Sequence, residues 1–190
     1  MDEDGADAVT CRRARSGEED AVRRVVLAAF GPGEQVVADL VEALRSSPAG
    51  VDDLSFVAEL DGELVGYVLF TRSLLDAPRR LVDVLVLSPL GVVPEHQGRG
   101  IGSALVRHAL AALGQRPEPM VFLEGSPSYY SRLGFSPAGD LGFRKPSLRI
   151  PDAAFQVRTT STYEPWMTGT LVYAEPFWRL DCVGLRVPEA

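Results

Sequence analysis

Gln97-Gly98-Arg99-Gly100-Ile101-Gly102-Ser103 sets three glycines at alternate positions just ahead of an apolar helical pattern. The chemistry open to such a stretch is anion binding. The first N–H groups of a helix have no partner inside it, and the helix dipole places partial positive charge at that end. Glycine lets the main chain approach a phosphate closely. The spacing is not that of the dinucleotide fingerprint, Gly-x-Gly-x-x-Gly with an acidic residue further on. Nor does Gly-Lys-Ser/Thr follow, as a Walker loop requires. A second stretch, Tyr129-Tyr130-Ser131-Arg132-Leu133-Gly134-Phe135, comes one helix and one strand later. A phenol donates a hydrogen bond at neutral pH and can protonate a leaving group. Taken singly, each stretch has a plainer reading: a glycine turn that caps a helix, and a packed aromatic with a bonded tip.

Taken together and in this order, the two stretches resemble the GCN5-related N-acetyltransferases (GNAT). Gln97, Gly100 and Gly102 give the Gln-x-x-Gly-x-Gly of that family's motif A, preceded by Val92-Val93-Pro94. Tyr130, Gly134 and Phe135 give its Tyr-x-x-x-Gly-Phe. The segment from Leu90 to Tyr130 looks most like the YhbS-like subgroup. The resemblance implies acetyl-CoA as cosubstrate, with no metal. Its pyrophosphate would lie on the amides of Gln97, Gly98, Arg99, Gly100, Ile101, Gly102 and Ser103. Val92 and Val93 would pair with the pantetheine where strands four and five part, an N–H near Val92 facing the thioester oxygen. Tyr130 would protonate the departing thiolate. The implied reaction is acetyl transfer to a primary amine of a small molecule or protein. A non-catalytic acyl-CoA-binding or sensing module, or a transferase for a longer acyl group, fits the same residues, because fold does not fix function.

The general base is not given by the resemblance. Histone-acetylating members carry a glutamate on strand four where this chain has Val86. Asp83, Ser88 and Glu124 are candidates for holding a deprotonating water, each also readable as structural or solvated. His96 and His108 read as surface residues rather than bases. Glu18, Glu34 and Asp39 fall in the helical region that lines the acceptor pocket in the family, and their charge suits a cationic amine as well as it suits a solvated helix face. Dimers through terminal strands are common among relatives.

The turn must be held by what flanks it. Residues 81–93 read as a strand, interrupted by Ser88-Pro89-Leu90-Gly91. Proline has no N–H for a sheet ladder, so it predicts a bulge or a local parting, or else a strand ending at Leu87. Residues 101–113 carry apolar positions at 101, 105, 106, 109, 110 and 113, a helical spacing. Upstream, 9–14 reads as a short strand and Ser16 with Glu19 as a capping box. Helices follow to Phe30 and over 34–45. Asp61-Gly62 joins two apolar runs, 54–60 and 64–71, as a hairpin. Residues 74–80 read as a loop. Downstream come a strand at 120–123, parallel to its predecessor across the helix, a short helix at 128–133 closed by Gly134, a loop over 139–151, and strands near 155–157 and 168–173. The expected class is α+β (α/β), the GNAT fold: a mostly antiparallel mixed sheet of about six to seven strands, with parallel strands 4 and 5 splayed, and about four flanking helices.

The chain has 190 residues, 46% hydrophobic and 24% charged, and a formal net charge of −7. That balance supports one core and speaks against a nucleic-acid face, which needs clustered cations. Lys145 is the lone lysine. Cys11 and Cys182 are too few for a zinc cluster and suggest no disulfide framework, which fits a cytoplasmic protein. No apolar run approaches the length of a membrane span, and the acidic start is no secretion signal. The expected layout is a disordered tail over 1–8, one N-acetyltransferase domain over 9–178 and a tail over 179–190.

Overall fold

The computed structural model describes residues 9–51, 54–114 and 116–185. The proposed tail at 1–8 and the last five residues lie outside that set. In chain order the elements are β1 (Thr10–Arg13), α1 (Glu19–Phe30), α2 (Gln35–Ser46), β2 (Ser55–Leu60), β3 (Glu63–Asp76), β4 (Leu81–Val92), α3 (Ile101–Ala112), β5 (Met120–Glu124), α4 (Pro127–Tyr130), β6 (Ser136–Pro137), β7 (Phe143–Arg144), β8 (Phe155–Thr159), β9 (Gly169–Val172) and α5 (Glu175–Arg179). The sheet runs β1-β2-β3-β4-β5-β8-β6, with β9 pairing the far end of β3 and β7 pairing β9. It has nine strands. The surplus over expectation is the two-residue strands β6 and β7, too short to leave a periodic signal.

Strand alternation sends side chains to two cores. Phe56, Ala58, Val68, Phe70, Leu85 and Leu87 face α3, where Ile101, Leu105, Val106 and Ala109 are buried. Val57, Tyr67, Leu69, Val84 and Val86 face α1 and α2. Buried apolar side chains of this kind stabilise by about 1.5–3 kcal/mol each, so the sheet is a rigid platform between two helical layers. Asp61 and Gly62 both have positive φ, 51° and 81°, the backbone of a two-residue hairpin turn.

Three expectations change. The Ser16 and Glu19 capping box does not form: α1 begins after Glu18, whose carboxylate accepts the Arg15 N–H at 2.7 Å and pairs with Arg12. The loop proposed at 74–80 is strand over its first three residues, because β3 runs on to Asp76, where β9 covers the edge β2 has left. The packed chain also passes residue 178. The Cys182 and Val183 N–H groups bond the Phe177 carbonyl, and Val183 is buried in the core beneath α2.

Two features open the site. Leu90 pairs Val68 while Leu87 pairs Phe70, so β4 carries one extra residue at Ser88-Pro89, the bulge that proline favours. Then β4 pairs β5 in parallel only at Leu85↔Val121 and Val86↔Phe122. Beyond those pairs the two strands part.

Candidate active site

The chain leaves β4 at Val92, makes a 3-10 turn over Pro94–His96 and enters α3 at Ile101. Gly98 and Gly100 hold φ of +75° and +82°, values that strain any residue with a Cβ. The first helical bond runs from the Ala104 N–H to the Gly100 carbonyl at 2.9 Å. Among the described residues, no partner receives the N–H groups of Gly98, Arg99, Gly100, Ile101, Gly102 or Ser103. Six consecutive donors on one bend are therefore left without a partner. The Gln97 N–H is different: it bonds the Pro94 carbonyl at 3.2 Å. The Gln97 side chain reaches back instead, its Nε2 donating to the Val92 carbonyl at 2.8 Å. Gln97 ties the bend to the strand through its side chain and lines the cavity beside it.

The strand edge behaves likewise. The Val93 N–H bonds the Val65 carbonyl at 2.9 Å, and its carbonyl takes the His96 N–H. Val93 is thus consumed by the fold and does not present the pairing edge expected of it. In an antiparallel ladder alternate residues point their main-chain groups to opposite sides. With Val93 and Gly91 turned to β3, Val92 and Leu90 turn theirs to the gap beside β5. Val92 remains as the edge.

A cavity of about 580 Å³ lies against this bend, lined by Leu90, Val92, His96, Gly98, Ile101, Tyr129, Arg107 and Arg132 among others. Its charged lining residues are arginines, with no carboxylate among them. Gly102 is needed for space here, since a Cβ would stand 2.9 Å from the Tyr129 hydroxyl. Arg99, expected on the anion from its position in the motif, is exposed and is not among the residues that line the cavity.

Tyr130 does not line this cavity. It lines a second one, of about 490 Å³, which shares Leu90 with the first. Pro127 opens α4 and Gly134, at φ +85°, closes the 3-10 turn after it. That short helix sets Tyr129 and Tyr130 on different walls, with rings 4.8 Å apart at 86°. Tyr130 is 8% exposed, and its hydroxyl has no hydrogen-bond partner among the described residues. Burial raises its pKa well above the ordinary phenol, and Tyr129 adds to the shift. It is a proton-bearing donor at neutral pH.

The second cavity also holds Ser88, Glu34, Glu124, Tyr173, Asp181 and Cys182, and no arginine or lysine. Glu124, the last residue of β5, accepts the Tyr173 hydroxyl at 2.7 Å. The carboxylate reaches solvent through the cavity mouth, but the protein crowded around it raises its pKa, against the Tyr173 bond, which lowers it. Glu18 and Asp39 are elsewhere, paired with Arg12 and Arg23. Asp83 lines a separate groove near α5. His108 stacks edge-on against Phe56, while His96 lines the first cavity with Nδ1 enclosed and unpartnered.

A GNAT acetyltransferase domain model matches residues 52–137. N-acetyltransferase YjhQ of Escherichia coli K12 is 34% identical over 159 residues, 82% of this chain and 86% of that protein. The chain belongs to the GNAT family. A solved structure of the GNAT protein YhbS of Escherichia coli, in complex with CoA, superposes with TM-score 0.81 at 26% identity, covering 94% of this chain and 97% of that one. A GNAT acetyltransferase of Brucella melitensis in complex with acetyl-CoA gives 0.69 at 29%, covering 90% and 99%. The parallel pair β4 and β5 is part of the GNAT fold that this chain shares.

Sequence reasoning missed Arg107, Arg132 and Tyr173. Arg107 sits two turns into α3 on the side of the bend, a signal that was readable. Tyr173 lies between β9 and α5, beyond both motifs, and no spacing announces it.

Proposed function

We propose that the protein moves the acetyl group of acetyl-CoA to a primary amine of a small molecule or protein. The observation that carries this reading is the run of unpartnered N–H groups from Gly98 to Ser103, opening into a cavity with two arginines. A pyrophosphate accepts such donors in charge-assisted bonds, roughly twice as strong as neutral ones, and Arg107 and Arg132 supply countercharge. The Val92 N–H and the main-chain groups of Leu90 face the gap, suited to the thioester oxygen and to pantetheine amides, while the Val92 carbonyl is held by Gln97. Acetyl-CoA brings an activated acyl group. The chain holds it in line with the second cavity and excludes water behind Leu90. Tyr130 gives its proton to the departing sulfur. The relatives solved with CoA and acetyl-CoA support the same ligand here.

The test is thiol release with purified protein, over polyamines, amino acids, aminoglycosides and peptides, together with calorimetric binding of acetyl-CoA. Tyr130→Phe should lower kcat by about 100-fold or more while leaving acetyl-CoA affinity near wild type. Unchanged turnover would remove Tyr130 as the acid. Binding without turnover of any amine would favour the sensing module. No binding of acetyl-, propionyl- or succinyl-CoA would end the whole reading.

A further inference from the structure

The acceptor side of the cleft carries uncompensated negative charge. Of the three carboxylates lining the cavity, Asp181 is offset by Arg149 at 3.0 Å. Glu34 has no ion-pair partner among the described residues. Glu124 is bonded through one oxygen to Tyr173 and keeps the other free. The three act on one space, because each raises the Cys182 thiol, after burial itself. A fourth polar side chain lines the same cavity: Tyr130, 8% exposed as a residue and with no hydrogen-bond partner for its hydroxyl among the described residues. Tyr130 and Glu124 line the same cavity, and the Tyr130 ring packs on Gly125, the residue after Glu124, where a Cβ would stand 2.2 Å from it.

We propose that Glu124, positioned by Tyr173, is the base that takes a proton from the acceptor ammonium, and that the acceptor is a small diamine whose second ammonium is received by Glu34. This rests on the reading of the cleft as an acetyl-transfer site. Two uncompensated carboxylates match two cationic nitrogens. Glu124 lies at the end of β5 where β4 has parted, beside the acid for the sulfur. Glu34 lies at the start of α2, on the outer wall of the same cavity. The balance closes as follows. Glu124 takes the first proton from nitrogen and passes it to solvent. The freed lone pair forms the C–N bond at the thioester carbon as the C–S bond breaks. Tyr130 protonates the sulfur, and the second proton shed by nitrogen restores the phenol. The net change is ammonium plus thioester to amide, thiol and one proton.

Tyr173 is a positioning residue. Its bond favours the carboxylate form of Glu124, so its loss raises the Glu124 pKa. The groups facing Glu124 are Tyr130, Tyr173, Glu34, Asp181 and Cys182, and no cation is among them. Tyr173→Phe should therefore move the ascending limb of kcat/KM to higher pH.

The experiment uses the full chain, α,ω-diamines of increasing length, and the monoamine matching each. Wild type should prefer the best diamine over its monoamine by about tenfold or more in kcat/KM. Glu34→Gln should abolish most of that preference by acting on the diamine alone. Glu124→Gln should cut kcat on both by about 100-fold or more, with acetyl-CoA binding retained. A monoamine used as well as its diamine, an active Glu124→Gln, or an unmoved pH limb in Tyr173→Phe would each overturn the corresponding assignment. Acetyl-CoA bound but no amine of the set acetylated would overturn the diamine. Loss of acetyl-CoA binding in wild type itself would instead mark failure of the underlying reading.

Discussion

Tyr129 and Tyr130 are adjacent in sequence and in edge-to-face contact, yet they belong to different cavities. The motif pointed to Tyr130, and its buried ring with an unpartnered hydroxyl suits a donor. It did not say which cavity Tyr129 would line, because the walls that separate the two rings come from β4 and from the start of α3. Gly102 shows the same limit. Its place in a glycine run suggests conformational freedom, but what it supplies is room, with the Tyr129 hydroxyl 2.9 Å from where a Cβ would stand. Gly102→Ala should push that hydroxyl into the cavity. Acetyl-CoA affinity should fall by about tenfold, while the melting temperature holds or rises, since alanine is the better helix residue. Calorimetry and a thermal melt on the same sample check both. An unchanged dissociation constant would mean the Tyr129 ring yields freely.

At the scale of elements, the bend works because three devices agree. The bulge at Ser88-Pro89 turns β4, the early end of β4–β5 pairing opens the gap, and Gln97 fastens the bend to Val92. The proline and the glycines were legible, because each forbids or permits a backbone state locally. The role of Gln97 was not. Its position in the motif suggested a phosphate contact, whereas its side chain completes the carbonyl of Val92 and its N–H is spent on Pro94. Gln97→Ala should cost about 1 kcal/mol of stability or less, but loosen the register between the bend and the strand. Acetyl-CoA affinity should drop several-fold with kcat at saturating cosubstrate little changed. Equal affinity in the variant would show that the glycines alone fix the bend.

Across the whole molecule, a chain of net charge −7 segregates its charge around the cleft. Arginines line the cavity at the helix start, carboxylates line the cavity behind Leu90, and the reacting atoms would meet between them. Net charge concealed this division, because it sums over surfaces that the fold keeps apart. The fold class was legible from the hairpin at Asp61-Gly62, the crossover through α3 and the two motifs. The C-terminal wall was not, since Tyr173, Phe177 and Val183 reach the site through pairing of β9 with β3, a long-range choice that local pattern does not encode. The most direct test of the account is an assigned amide NMR spectrum recorded with and without acetyl-CoA. Hydrogen bonding to phosphate should move the amide protons of Gly98 through Ser103 strongly downfield, while Gln97 and Val93, whose N–H groups are already bonded, shift little. Large shifts confined to other segments, with Gly98 to Ser103 unmoved, would contradict the claim that this bend holds the pyrophosphate.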